Sequence, residues 1–274
     1  MADVVVNGVK LVYDVQGDEG PPVLMICGTG QRAESWEMFG RVTLGAAGFR
    51  TISFDNRGMA PSDAPAGPYS VAQMADDAIG LMEHLALGPY HVTGASLGAL
   101  ITQTVALRRP DLVRSASLIV GGGNFCQAAN IRTSAVAAAL RAGPPAADLA
   151  YRANMLDAML TPAQQRDDDM VRAAFDMVDA IFGPWGEPGR LGQIEADVAW
   201  GEENHLDELA GMAVPCLVIA HEWDAFFPPA LLRQAADRIP DAEYIEIPDV
   251  AHVPLDPAAL AKIGDAMVDF FGRH

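Results

Sequence analysis

The sequence predicts an α/β domain, with a mostly parallel central sheet flanked by helices and a helical cap inserted between two of its strands. Three observations lead there. Short apolar runs alternate with helix-length amphipathic segments, the pattern of a parallel sheet covered on both faces. The alternation stops near residue 124 and resumes after 212, and the stretch between holds helical patterns without a strand pattern. The chain has 274 residues, half of them hydrophobic and 20% charged, which is ample material for one core.

In order along the chain, Val4–Val6 and Leu11–Val15 read as an opening hairpin. Val23–Cys27, Thr51–Phe54, His91–Val92, Ser117–Val120, Cys216–Ala220 and Tyr244–Ile247 follow as buried strands. Ser70-Val71-Ala72-Gln73 predicts a helix start, because the serine hydroxyl can cap free amides while Gln73 reaches back. Met74, Ala78, Ile79, Met82 and Leu85 then recur at helical spacing and give that helix one apolar face. Within the insertion, Thr161-Pro162-Ala163-Gln164 repeats the capping pattern, with proline at the first helical position. Phe175, Val178, Ile181 and Phe182 form an apolar stripe, and Pro144-Pro145 and Gly183–Gly189 read as turns. The expected division is a core of 1–123 and 213–274 and a cap of 124–212.

A formal charge of −18 speaks against a nucleic-acid partner and against an anionic membrane surface. Met1–Asn7 lacks the basic start and apolar run of a signal peptide, and no stretch approaches the ~18 apolar residues that span a bilayer. Cys27, Cys126 and Cys216 are too few and too scattered for a disulfide framework or a zinc site. A cytoplasmic protein acting on a small molecule is expected, and a homo-oligomer is compatible with this composition. His84, His91 and His205 lack metal-ligand spacing, and His221 with Asp224 is too little for a metal site.

Val92-Thr93-Gly94-Ala95-Ser96-Leu97-Gly98 places Gly-x-Ser-x-Gly between a strand and a helix. A serine at so sharp a turn has its hydroxyl held clear of the sheet, while small neighbours let backbone pack against the turn. The helix beginning near Leu97 points free amides towards charge developing beside Ser96. In a chain with 26 glycines the motif alone is weak, and a serine hydroxyl needs a base. His252 follows the last expected strand and Asp224 follows the one before, both at the sheet edge where α/β folds build sites. The order Ser96, Asp224, His252 therefore reads as a catalytic triad, with Glu222 as the reserve acid.

With these residues the chain resembles the α/β-hydrolase fold family over essentially its whole length. Asp55-Asn56-Arg57-Gly58-Met59-Ala60-Pro61-Ser62 is similar to the family's Asp-x-Arg-Gly-x-Gly-x-Ser loop, and Cys27-Gly28-Thr29-Gly30 to its His-Gly-x-Gly or His-Gly-x-Pro oxyanion segment. The stretch Asp63–Ser70 is similar to enol-lactonase-like and related bacterial esterase-like members. Cys27 departs from the usual histidine and Ala60 from a usual glycine. The resemblance implies a hydrolase of carboxylic esters or lactones working through an acyl-enzyme on Ser96 without a cofactor. It also implies the amides of Leu97 and Thr29 as oxyanion donors, with Asp55 and Arg57 ordering a loop beneath the site.

Other readings compete. Gly28-Thr29-Gly30-Gln31-Arg32-Ala33 matches a dinucleotide fingerprint, and Asp55 stands near where a ribose-binding acid would. That reading leaves Ser96, Asp224 and His252 without a joint purpose. Within the fold, elimination, carbon–carbon cleavage, cyclisation or acyl transfer on a hydrophobic metabolite is the alternative, encouraged by Cys27. Phe125, Phe182, Trp185 and Trp200 are the aromatic candidates for the pocket, and Met155, Met159, Met170 and Met177 read as adaptable cap residues.

Overall fold

A computed structural model describes residues 1–143, 146–182 and 189–274, with 178–182 described by backbone alone. The strands are β1 (Ala2–Val6), β2 (Val9–Gln16), β3 (Pro22–Ile26), β4 (Arg50–Phe54), β5 (Tyr90–Ala95), β6 (Val113–Ile119), β7 (Cys216–His221) and β8 (Ala242–Ile247). They form one sheet in the order β1-β2-β4-β3-β5-β6-β7-β8. β2 is antiparallel to both its neighbours, and every other neighbouring pair is parallel. Among the described residues α1 (Arg41–Ala46), α2 (Val71–Leu85) and α3 (Leu97–Arg108) connect strands before β6. Four helices, α4 (Gln127–Ala142), α5 (Ala146–Met159), α6 (Asp168–Phe182) and α7 (Arg190–Trp200), lie between β6 and β7, and α8 (Pro229–Arg238) and α9 (Pro257–Arg273) follow β7 and β8. The expected α/β architecture is present.

β3 shows why the sheet is buried on both faces. Its side chains alternate, so Leu24 and Ile26 pack in a layer with Met74, Leu81, Leu100 and Ile101 of α2 and α3. Val23 and Met25 face the opposite layer with Leu44 of α1 and Ile263, Met267 and Phe270 of α9. A strand covered twice needs apolar residues at every position, which explains the unbroken run Val23–Cys27. Fully burying each such side chain contributes about 1.5–3 kcal/mol.

The two capping patterns have different outcomes. At α2 the box is complete, with the Gln73 amide donating to Ser70 Oγ and the Ser70 amide to Gln73 Oε1, each at 3.1 Å. Thr161 and Gln164 make the same reciprocal bonds, at 3.3 and 2.9 Å. There, however, only a 3₁₀ turn, Gln164–Arg166, follows before the chain extends at Asp167. Asp167 Oδ1 accepts the amides of Asp169 and Met170 and starts α6 instead, a competing cap six residues after Thr161. No described helix is long and apolar enough to cross a membrane.

Candidate active site

The site forms where the parallel strands end. β5 stops at Ala95 and α3 starts at Leu97, so Ser96 alone makes the turn, at φ 56° and ψ −121°. That backbone is costly for a residue with a side chain and persists only where neighbours enforce it. A Cβ on Gly94 would lie 2.1 Å from the Gly98 carbonyl oxygen, and one on Gly98 would lie 2.1 Å from the Ile26 oxygen. The Ser96 amide donates to Ile119 O (2.9 Å), and its carbonyl accepts from Ala99 (2.8 Å). Ser96 is pinned by its backbone, and its hydroxyl remains available.

Across the sheet edge, His252 Nε2 lies 2.9 Å from Ser96 Oγ and His252 Nδ1 lies 2.8 Å from Asp224 Oδ2. Asp224 Oδ1 accepts the amides of Phe226 (2.7 Å) and Phe227 (2.9 Å). Burial pushes the Asp224 carboxyl up, but the neighbouring His252, its hydrogen bond and the two amides outweigh burial and hold it below the ordinary carboxylate range. An ionised Asp224 accepts a hydrogen bond from Nδ1–H, which fixes the tautomer and leaves Nε2 free to accept from the serine hydroxyl. Such a series can remove the Ser96 proton and stabilise the imidazolium that results. Glu222 stands apart, exposed, with Oε2 accepting the Asp249 amide at 2.8 Å.

His221, which with Asp224 is too little for a metal site, supports His252. Its Nδ1 lies 2.8 Å from the Ala251 carbonyl and 3.2 Å from the His252 carbonyl. Burial pushes its pKa down to about 4, so it is neutral and donates from Nδ1. The available signal was its place as the last residue of β7, one strand from His252.

The Gly28–Ala33 loop is held by one face of α7. Arg190, Gln193 and Asp197 recur at i, i+3 and i+7 and meet the loop in turn. Arg190 donates to Gly30 O at 3.4 Å, Gln193 Oε1 accepts the Gly30 amide at 2.8 Å, and Asp197 Oδ2 accepts Thr29 Oγ1 at 2.5 Å. A Cβ on Gly30 would crowd the Arg190 guanidinium at 3.1 Å. Among the described residues no acceptor takes the amides of Thr29 or Leu97. Cys27, where the family pattern has histidine, is buried beside Trp36, and burial pushes its thiol far up, so it behaves as core. Sequence reasoning missed Gln193 and Asp197, although their helical spacing from Arg190 was visible.

The nucleotide reading fails on Asp55, which is buried with Oδ1 accepting the Ala33 amide at 2.8 Å. Asn56 donates to Cys27 O (2.9 Å), and Arg57 forms a buried two-point pair with Asp77 at 2.6 and 2.7 Å. Ala60 is exposed, so its Cβ in place of a glycine has room. Among the described residues no three His, Cys, Asp or Glu side chains gather as a metal set.

Phe125, Val136, Met155, Ile194, Phe226 and Phe227 form an apolar pocket over Ser96 and His252. Phe125 packs on Phe227 with ring centroids 4.9 Å apart and the planes tilted by 35°. Trp200 corrects the sequence reading: it lines a separate hollow, stacked on His205 at 3.5 Å, with Nε1 donating to Gly123 O. An indole with a buried carbonyl acceptor and a stacking partner is satisfied internally. Trp185 and the side chain of Phe182 lie outside the described residues. Met155 lines the pocket and Met159 is buried, whereas Met170 and Met177 are exposed.

Residues 21–259 match a family model described as the alpha/beta hydrolase fold. A Mycobacterium tuberculosis (strain H37Rv) protein with the provisional name non-heme bromoperoxidase BpoC is 32% identical over 269 residues, 96% of this chain and 98% of its own. Rhodomycin D methylesterase DauP of Streptomyces sp. (strain C5) is 27% identical, covering 88% of this chain and 89% of its own. The crystal structure of the enol-lactonase from Burkholderia xenovorans LB400 is 25% identical and superposes with a TM-score of 0.81 over 99% of this chain and 100% of that one.

Proposed function

The chain belongs to the α/β-hydrolase fold family, and we propose that it hydrolyses a carboxylic ester or lactone with a largely apolar body through an acyl-enzyme on Ser96. The observation that carries this reading is the hydrogen-bonded series from Ser96 Oγ through His252 to Asp224, placed at the floor of an apolar pocket.

In this mechanism His252 Nε2 takes the Ser96 proton as Oγ attacks the carbonyl carbon. The tetrahedral oxygen receives the amides of Leu97 and Thr29, each donor contributing about 3–4 kcal/mol to the transition state. His252 then protonates the leaving alkoxide. Water activated by the same nitrogen releases the acid and restores Ser96. The helices between β6 and β7 act as a cap that admits apolar acyl or alkyl groups, a role supported by Phe125, Val136 and Met155 on the pocket wall. Cys27, which prompted the non-hydrolytic alternative, packs into the core and adds nothing to it.

The test compares wild type with Ser96→Ala, using a fluorophosphonate probe and a panel of acyl esters and lactones. Labelling is lost in the variant, and turnover falls by at least about 10⁴-fold. Unchanged turnover in Ser96→Ala would overturn the covalent mechanism.

A further inference from the structure

The sequence leaves the charge of the substrate open, because an anionic lactone would need a basic anchor. No Lys or Arg lines the pocket among the described residues, and residues 144–145 and 178–188 contain none. The arginine of α7 beside the pocket, Arg190, is directed to Tyr151 and the Gly30 carbonyl. The wall does carry a carboxyl, Asp197, as the sole Asp or Glu among the described lining residues.

One oxygen of Asp197 is used. Oδ2 accepts Thr29 Oγ1 at 2.5 Å, whereas no described residue donates to Oδ1. A half-buried carboxylate facing an apolar pocket without a full set of donors is costly. Burial accordingly pushes the Asp197 carboxyl up to about 7, against the Thr29 hydrogen bond and the charge of His252. The position also matters: Thr29, which holds Asp197 by its side chain, supplies a proposed oxyanion amide from its backbone. A group bound by Asp197 therefore shares one pocket with Ser96 and with the loop that carries the proposed donor.

We propose that the open oxygen of Asp197 receives a protonated amine of the substrate, so that the enzyme selects apolar esters or lactones carrying an amine and rejects those carrying a carboxylate. This rests on the hydrolytic reading above. Above about pH 7, where Asp197 is ionised, a carboxylate in the same place meets a like charge with no Lys or Arg among the described lining residues, and an ammonium completes the hydrogen bonding that the described residues leave open.

The experiment uses matched methyl esters whose acyl chain ends in methyl, ammonium or carboxylate, in a short series of lengths, with wild type and Asp197→Asn. The asparagine carbonyl can still accept from Thr29, but its NH₂ replaces the open acceptor with a donor. Wild type is expected to favour ammonium over carboxylate esters in kcat/KM by at least about 100-fold, and Asp197→Asn to cut that ratio at least about tenfold. Equal use of ammonium and carboxylate esters by wild type would overturn the proposal. So would a uniform loss on all three esters in Asp197→Asn, the signature of a purely structural role. Calorimetric binding of butylammonium and butyrate to Ser96→Ala, and to Ser96→Ala combined with Asp197→Asn, separates this from the hydrolytic reading. An ammonium preference that vanishes with Asp197→Asn sustains the selectivity even where no ester is turned over, and absence of that preference overturns it.

Discussion

The strand ends and the stretch from Phe125 through α5 face one another across the same pocket, but they are held by different forces. At the strand ends, Ser96, His252 and Asp224 are fixed by hydrogen bonds of 2.7–2.9 Å and by a turn that excludes side chains at Gly94 and Gly98. Across from them, Phe125, Val136 and Met155 meet the pocket through apolar contact, with no polar atom of the side chain to fix them. Directional bonds give one productive geometry, whereas apolar packing tolerates exchange of similar volumes. Substitutions on the first side should therefore alter rate, and those on the second should alter which substrates fit.

The sharpest break of that contrast lies at Asp224. Asp224→Asn keeps the shape but presents the wrong partner to His252 Nδ1, and kcat should fall by about 10³–10⁴-fold. Glu222→Ala, two residues away, should stay within about twofold, since its carboxylate serves the Asp249 amide in an exposed loop. Steady-state kinetics on one neutral ester checks both, and the reverse ranking would move the acid to Glu222.

What could be read from the sequence follows the same division. Ser96 was legible because a strand-to-helix turn needs glycine at two fixed offsets, and few residue types can serve there. Asp224 and His252 were legible from their places after β7 and β8. The pocket wall was not, because Phe125 lies in a loop before α4 and Trp200 ends a helix packed on several sides, and neither setting carries a periodic cue for the side an aromatic ring faces. Phe125 and Trp200 looked alike in the sequence, yet one lines the pocket and the other caps a carbonyl behind it. Polar residues on α7 could have been found by spacing, but nothing in their order says that they meet the Gly28–Ala33 loop from across 160 or more residues. The second capping box gave its hydrogen bonds correctly and its helix incorrectly, because Asp167 offers a competing start.

A smaller effect is expected one layer behind His252. His221 touches no reacting atom and acts as a positioning residue through the Ala251 and His252 carbonyls. His221→Ala should lower kcat by about tenfold with KM little changed, since a loosened loop costs alignment rather than binding. In His221→Asn a side-chain N–H can take the place of Nδ1–H, and most of the rate should return. If Ala and Asn behave alike, the loop does not depend on that donor.

The smallest effects separate Phe125 on the pocket wall from Trp200 behind it. Phe125→Ala removes a ring packed on Phe227 and should raise KM for long acyl chains by about fivefold, while short chains are nearly unaffected. Trp200→Phe should leave KM unchanged for every chain length and lower stability by about 1–3 kcal/mol, because the Gly123 carbonyl loses its donor in a buried setting. Thermal melting read beside a chain-length series distinguishes a pocket residue from a structural one. A KM change in Trp200→Phe as large as that in Phe125→Ala would place Trp200 on the substrate path and redraw the pocket.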